Sequence, residues 1–201
     1  MTNQLTRTLE MSQPFASTNE PEEADHINRA IAGETRSIDW LITKYRNRVV
    51  RLAAGVLGRP SEAEDAAQEA FIRAFRSLAS YRRRGNFQSW LFQITVNVCL
   101  DRTRLSRWNA EVGLIEADRK TSPADPAYLD TEFKVALAGV MATMSPEMRA
   151  ILTLRELEDL EYGEIATILQ IPVGRVKWRL HMARKELMSL WAKLQSEVNR
   201  V

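Results

Sequence analysis

Apolar residues recur at three- and four-residue spacing along most of this chain, and this spacing restricts the fold more than any other feature. The pattern is clearest in a segment beginning near Ser37, where the apolar positions are Trp40, Leu41, Tyr45, Val49, Leu52 and Val56. Such spacing places one apolar face on a helix. The 201 residues include only 8 glycines and 7 prolines, and this composition favours helices over turn-rich sheets. The sequence therefore predicts an all-α fold.

One interruption of the periodicity divides the chain. The helical spacing fails between residues 109 and 128, and the stretch 121–126 reads Thr-Ser-Pro-Ala-Asp-Pro, which is typical of loops. A connection of this length is uncommon inside a compact domain, so we predict two small helical domains joined by a flexible linker. The predicted parts are a flexible polar tail at 1–22, a first domain at 23–108, the linker at 109–127 and a second domain at 128–201.

The first predicted domain reverses its charge within a short distance. Between Ser61 and Glu69 there are four acids and no base, whereas residues 81–107 hold six arginines and one aspartate. The reversal indicates two neighbouring surfaces for different partners, of which the second partner is polyanionic. Ser61 followed by Glu64 predicts a capping box at the start of the acidic helix. If no partner binds there, the acids form a solvated helix face that the helix dipole favours.

Aromatic residues are interleaved with the arginines of the basic segment. They include Tyr81, Phe87, Trp90 and Trp108. This mixture suits single-stranded or distorted nucleic acid, because rings stack on bases and guanidinium groups contact phosphates. The alternative is a set of core aromatics beside a solvated basic edge, and we expect at least Trp90 to belong to the core.

Residues 161–187 predict a helix-turn-helix. Ile165, Ala166 and Leu169 point inward from the first helix, and Ile171-Pro172 forms the turn. The second helix has a core row at spacing four, three, four, made of Val176, Leu180, Ala183 and Leu187. The opposite face carries several cations, as expected of a helix that lies in the DNA major groove, and consists of Arg175, Trp178, Arg179, Met182 and Lys185. The alternative is a helical hairpin with a basic outer face.

Several classes of function are excluded by the composition. The single cysteine, Cys99, cannot form an internal disulfide, and with His26 and His181 it cannot complete a zinc site. Its apolar neighbours predict a core thiol. We find no nucleophile with its base, no phosphate-binding glycine loop and no metal cluster, so we expect neither enzyme activity nor a cofactor. Without a signal peptide or a run of about eighteen apolar residues, we expect a cytoplasmic protein that does not insert into membranes.

Residues 24–190 resemble a bacterial RNA polymerase sigma factor of the extracytoplasmic-function (ECF) class of the sigma-70 family. Two blocks resemble conserved region two of that family, namely Glu64-Asp65-Ala66-Ala67-Gln68-Glu69-Ala70-Phe71 and Trp90-Leu91-Phe92-Gln93-Ile94-Thr95-Val96-Asn97. Three blocks resemble region four, namely Leu154-Arg155-Glu156-Leu157, Glu164-Ile165-Ala166 and Ile171-Pro172-Val173-Gly174. The blocks occur in the order and at the separation that the family has.

The resemblance implies a promoter-specificity subunit that binds core RNA polymerase and promoter DNA. The acidic helix would dock on the clamp helices of the largest polymerase subunits through Asp65, Gln68 and Glu69. Members of the family are often held inactive by an anti-sigma factor, which would be a further partner, although regulation by the N-terminal tail is an equal alternative. The linker would thread through the polymerase near the path of nascent RNA.

The resemblance also implies which residues contact the promoter. Those matching the strand-melting surface for the −10 element are Asn86, Phe87, Asn97, Arg102 and Arg104. Duplex recognition of the −35 element would use the helix from Val173 to Lys185, through Arg175, Lys177, Trp178, Arg179 and Arg184.

The region-four segment departs from the usual family pattern in three places. Glu161 replaces the usual capping serine, and we expect it to be a poorer cap. Gln170 replaces a glycine, which costs on the order of 1 kcal/mol if the left-handed conformation is kept. Trp178 and Met182 are bulky where the recognition helix commonly carries small or basic residues, so the promoter sequence cannot be copied from relatives.

Two other functions fit parts of the sequence. A stand-alone helix-turn-helix regulator that binds operators as a dimer would leave the acidic helix and the aromatic-basic block without a role. An interaction protein, such as an adaptor for a signalling partner, would leave the cations of the second helix unexplained.

Overall fold

A computed structural model describes residues 21–81, 86–111 and 132–198. Within these ranges the helices are α1 (Pro21–Ile31), α2 (Thr35–Leu57), α3 (Ala63–Ser77), α4 (Phe87–Glu111), α5 (Glu132–Ala142), α6 (Pro146–Leu152), α7 (Tyr162–Leu169) and α8 (Val173–Val198). Helical turns lie at Pro60–Glu62 and Leu78–Ser80, and a π-helical segment lies at Thr153–Leu157. No strand occurs in the described ranges, and the predicted all-α class is confirmed. Most of the predicted tail and linker lies outside the described residues.

Helix α2 lies at the centre of the first helical unit and packs against α1, α3 and α4. Its predicted apolar face is buried, with Leu41, Val49 and Leu52 all at 0% exposure. The helix ends where a glycine is needed. Gly58 has a φ of 67°, and its N–H donates to the carbonyl of Ala54, an arrangement that other residues adopt only with strain. The local pattern therefore fixed both the buried face and the end of this helix.

The start of α3 differs from the sequence prediction. No side-chain cap is present, and the capping box predicted from Ser61 and Glu64 is wrong. The reason is Pro60, whose fixed φ starts a helical turn one residue earlier. Ser61 therefore lies inside the turn, and the α-helix begins at Ala63. Its buried stripe consists largely of alanines, which lets α3 approach its neighbours closely.

Of the aromatic residues named above, Tyr81, Phe87 and Trp90 belong to the core. The rings of Tyr81, Phe87 and Trp90 contact one another with centroids 5.2–5.6 Å apart, and Phe87 is 1% exposed. Trp108 differs, because it is 61% exposed near the end of α4. Cys99 is fully buried, as predicted, and burial raises the pKa of its thiol to about 12.

The second helical unit consists of α5 to α8. Ser145 caps α6 by accepting a hydrogen bond from the Met148 N–H at 3.3 Å, with Pro146 in the first helical position, as predicted. The start of α7 is better capped than expected, because the Glu164 side chain accepts a hydrogen bond from the Glu161 N–H at 3.0 Å. Gln170 keeps the left-handed conformation, with a φ of 53°. The helix-turn-helix therefore retains its turn without a glycine.

One buried arginine joins the two helical units. Arg149 on α6 is 4% exposed. Its guanidinium donates to the carbonyls of Val56 at 2.7 Å and Leu57 at 2.9 Å, at the end of α2. It also donates to the carbonyls of Ala142, the last residue of α5, and of Met144 in the connection to α6. Burial lowers the pKa of Arg149 to about 10. Apolar residues of both units accordingly form one continuous core.

Candidate nucleic-acid and protein interfaces

The acidic face of α3 is accessible to a partner. Asp65 and Gln68 are exposed, whereas Glu69 is half-buried. The Glu69 carboxylate accepts hydrogen bonds from Arg73 and, at 2.8 Å, from Arg102. Burial by itself would raise the pKa of Glu69, but these two hydrogen bonds hold it below its ordinary value. Glu69 therefore organises the surface between α3 and α4, while Asp65 and Gln68 face solvent.

An apolar groove of about 520 Å³ lies beside these exposed residues. Its lining combines apolar side chains with a polar rim, and consists of Ile42, Arg46, Glu64, Asp65, Ala67, Gln68, Phe71, Ile72 and Phe75. On the rim, Arg46 and Glu64 form an ion pair at 2.9 Å. Ile72 is 45% exposed, although it belongs to an otherwise well-packed helix. A groove with an apolar floor and a charged rim is suited to receive a helix of another protein.

The residues expected to contact the −10 element fall into two environments. Asn86 is a local cap, because its side-chain oxygen accepts a hydrogen bond from the Ser89 N–H at 2.6 Å. Its side-chain nitrogen donates to Glu164 of α7 at 3.3 Å. Phe87 is buried beside it. The structure thus buries Phe87 and engages the partly exposed Asn86 side chain in hydrogen bonds. Residues 82–85 of the adjoining loop lie outside the described part of the chain.

The remaining expected −10 residues lie further along α4. Asn97 and Arg104 are exposed, and their separation of seven residues puts them on one face of the helix. Arg102 is half-buried and already engaged, because it binds Glu69 and also donates to the Asp65 carbonyl at 3.2 Å. Asn97 and Arg104 therefore remain accessible to a strand of DNA, while Arg102 links α4 to the acidic helix.

Helix α8 presents to solvent most of the residues that the resemblance assigns to DNA contacts. Arg175, Lys177 and Trp178 are exposed, with Trp178 at 59%, and Arg179 is half-buried. The Lys177 ammonium lies 5.9 Å from the centre of the Tyr162 ring. Arg184 differs, because its guanidinium binds the Glu156 carboxylate at 2.6–2.9 Å. The first turns of α8 thus form an accessible basic and aromatic face.

The sequence analysis did not identify a cluster of charged residues between α2 and the second helical unit. Arg48 and Arg51 on α2 both bind the carboxylate of Glu158, at 2.8 Å each. The Glu158 side chain is 0% exposed. These residues are more than 100 positions apart in the sequence, so no local pattern could have paired them.

Comparison with known proteins assigns both halves of the chain to one family. The profile for sigma-70 region 2 matches residues 41–109, and the profile for sigma-70 region 4 matches residues 134–187. The chain therefore belongs to the sigma-70 family of RNA polymerase sigma factors. That family is not known as one of enzymes. The interpretation as a stand-alone helix-turn-helix regulator is not favoured, because region 2 accounts for the acidic helix and the basic helix after it.

Similar proteins identify the class of sigma factor within the family. The ECF RNA polymerase sigma factor SigE of Mycolicibacterium smegmatis is 37% identical over 166 residues, which cover 80% of this chain and 64% of that protein. The RNA polymerase sigma-H factor of Pseudomonas aeruginosa is 32% identical over 172 residues, covering 80% of this chain and 89% of that protein. The chain is an ECF sigma factor, a promoter-specificity subunit of RNA polymerase.

A solved structure shares the fold. The sigma factor RpoE of Bartonella quintana, solved with its anti-sigma factor NepR, superposes with a TM-score of 0.64 at 21% identity. The match covers 77% of this chain and 96% of that one. In the described ranges 21–81, 86–111 and 132–198, we find no helix that is both long and apolar enough to cross a membrane.

Proposed function

We propose that α3 is the polymerase-binding element of this sigma factor. Asp65 and Gln68 would contact a helix of core polymerase that lies in the adjoining apolar groove. Glu69 would hold that surface in place through Arg73 and Arg102, in addition to any contact of its own. The observation that carries the proposal is the exposed acidic rim over an apolar floor, since such a combination provides both binding area and orientation for a partner helix.

The contacts with the −10 element that we propose are made by polar and cationic residues of α4 and by the residue just before it. Asn97 and Arg104 on α4 would meet the separated non-template strand of the −10 element. Asn86 would join them once its hydrogen bond to Glu164 is released, and Phe87 would support Asn86 from the core. Arg102 would reach a phosphate only by leaving Glu69, so its main role is to join α3 and α4.

The −35 element would be read by the first turns of α8. Arg175, Lys177, Trp178 and Arg179 lie where the N-terminal part of a recognition helix meets base edges and phosphates. Arg184 would contact a phosphate at the edge of the site, next to Glu156. The cations provide affinity that depends on salt, whereas the indole ring of Trp178 provides an apolar surface that favours the methyl group of thymine.

The protein would act without catalytic groups or a cofactor of its own, and in the cytoplasm, where RNA polymerase works. An anti-sigma factor, like the one bound to the Bartonella quintana protein, is the third partner that we infer for this chain.

The test of this function is reconstitution. The purified chain should co-elute with core RNA polymerase and direct initiation from a subset of the promoters in genomic DNA. Core polymerase alone is the control, since it should give no specific start sites. If the chain neither co-elutes with core polymerase nor produces specific start sites, the proposed function is wrong.

A narrower prediction concerns Trp178. Replacing Trp178 with alanine should weaken binding of an isolated −35 duplex by about 1–2 kcal/mol, because a buried apolar contact with thymine is lost. Replacing the thymines of the duplex with deoxyuridine should weaken binding by the wild-type chain and leave the Trp178→Ala chain unaffected. Fluorescence anisotropy at fixed salt measures both effects.

A matched control exists in the same chain. Trp108 is 61% exposed, nearly the same as Trp178, but it lies on α4, so Trp108→Ala should bind the −35 duplex like the wild type. Equal affinities of all three chains, or an equal response to deoxyuridine, would show that Trp178 does not read the duplex.

A further inference from the structure

Trp108 presents a large aromatic ring to solvent near the end of α4. It is 61% exposed, and Leu105, one helical turn before it, is 60% exposed. In the described part of the chain, no aromatic ring or cation packs against the indole of Trp108. Single exposed apolar residues are common on proteins, but two large ones on adjacent turns of one helix form a patch of the kind that binds a partner.

The patch continues the face of α4 that we propose for the −10 strand. A helix turns about 100° per residue, so Trp108 lies within about 40° of both Asn97 and Arg104 around the axis. Trp108 is eleven residues beyond Asn97, which is about 16 Å along the helix. This length spans several nucleotides, because stacked nucleotides rise about 3.4 Å each. Trp108 can therefore meet a base that lies out of reach of Asn97.

One acid lies on the same face, and cations offset its charge. Asp101, between Asn97 and Arg104, accepts a hydrogen bond from Arg73 at 3.3 Å. Arg104 also lies 3.8 Å from the Asp101 carboxylate, while 71% of the Arg104 side chain stays exposed. Among its described side chains, this face of α4 therefore does not repel a phosphate backbone.

The side chains around Trp108 are ordered like the two sides of a nucleic-acid strand. Around the helix axis, Arg104 and Arg107 lie to one side of Trp108, and Leu105 lies to the other. Arg107 is exposed, and no acid in the described ranges pairs with it. Guanidinium groups bind phosphates, whereas an open indole ring stacks on the flat face of a base. Bases inside a duplex are already stacked on one another, so an unpaired base is the ligand that fits.

We propose that Trp108 stacks on an unpaired base of the non-template strand and extends the promoter contact of α4 beyond Asn97, with Arg104 and Arg107 on the neighbouring phosphates. This inference rests on the proposed function, because it assumes that α4 receives the −10 strand. Every base has a flat face, so the stack holds the separated strand without selecting one base. A duplex offers Trp108 no such face, and the −35 duplex is therefore not its ligand.

Two substitutions of Trp108 test the stack in the assembled holoenzyme. Fluorescence anisotropy gives the affinity for a labelled single strand that carries the non-template −10 sequence of a promoter used by the wild-type holoenzyme. Trp108→Ala should bind this strand roughly tenfold more weakly, as expected for the loss of one base–aromatic stack. Trp108→Phe keeps an aromatic face and should stay within about threefold of the wild type. Met188→Ala, at a 66% exposed position on α8, is the matched control and should bind like the wild type.

A set of strands that each lack one base identifies the partner of Trp108. At one position, removal of the base should weaken wild-type binding roughly tenfold and change Trp108→Ala binding by less than about twofold. General damage to the protein would weaken binding to all of the strands alike. A salt titration separates the stack from the charges. Arg107→Gln should reduce the slope of log affinity against log salt by about 0.7, the single-strand value for one phosphate, whereas Trp108→Ala should leave the slope unchanged.

Weaker strand binding by Trp108→Ala, recovery in Trp108→Phe and one position of non-additivity support the proposal. Wild-type affinity in Trp108→Ala, no recovery in Trp108→Phe, or an equal loss on every strand overturns it. Normal strand binding together with weaker competition for core polymerase would place Trp108 on a polymerase contact, and this result also overturns the stack. In all of these cases a wild-type holoenzyme that initiates normally leaves the proposed function intact. A wild-type holoenzyme that initiates from no promoter overturns the proposed function and the stack with it.

Discussion

Replacing Arg149 with methionine should lower the free energy of unfolding by about 3–5 kcal/mol, because at least two buried carbonyls lose a charged donor and each such hydrogen bond contributes about 1.5–3 kcal/mol. The guanidinium of Arg149 donates to four main-chain carbonyls, which lie at the end of α2, at the end of α5 and in the connection to α6. Methionine preserves apolar contact but donates no hydrogen bond. Urea denaturation followed by circular dichroism measures the change.

Two further variants serve as comparisons for Arg149→Met. Arg149→Lys should give an intermediate loss, since an ammonium group cannot reproduce the planar fork of a guanidinium. Arg76→Met, at an exposed position on α3, is the control and should change the free energy of unfolding by less than about 0.5 kcal/mol. A loss below about 1 kcal/mol for Arg149→Met would contradict the role given to these hydrogen bonds.

Reversing the charge of Asp65 should have the largest effect on polymerase binding. We expect Asp65→Arg to weaken the affinity for core polymerase about 10- to 100-fold, which corresponds to about 1.4–2.8 kcal/mol. The physical reason is that a new cation on the groove rim would face the group that the carboxylate attracts. Competition against the wild-type chain for a limiting amount of core polymerase measures the affinity.

The structure makes Asp65 a better target than Glu69. Changing Glu69 would also remove its hydrogen bonds to Arg73 and Arg102, so weaker binding could reflect a damaged fold. Asp65→Arg changes an exposed side chain, and its melting temperature should stay close to the wild-type value. Asp39→Arg, an exposed acid on α2, is the matched control. If Asp65→Arg competes as well as Asp39→Arg, the polymerase-binding face lies elsewhere.

Local patterns predicted most of the helices and the family of the chain well. The apolar face of α2, the end of that helix at Gly58 and the cap at Ser145 all depend on residues within a few positions of one another. The two sigma-70 regions were likewise recognisable, because each contains short blocks of neighbouring residues. The capping box at Ser61 failed for an equally local reason, since Pro60 starts its helical turn one residue earlier.

Whether an individual side chain is buried or exposed was harder to predict. Tyr81, Phe87 and Trp90 pack into the core, yet Trp108, at the end of the same segment, is exposed. Arg102 and Arg104 are two residues apart, but Arg102 binds Glu69 while Arg104 is exposed. Such differences depend on which helix lies opposite each residue, and the sequence pattern of one helix does not contain that information.

By itself, then, the sequence determined most of the helices and the family, because short-range periodicity and compact motifs encode them. Only the tertiary structure decided how the two units meet. Arg149 at the carbonyls of α2 and Glu158 between Arg48 and Arg51 join residues about 90 to 110 positions apart. The physical reason is that a charge can be buried only where partners converge on it in space, and that convergence exists only after the chain has folded.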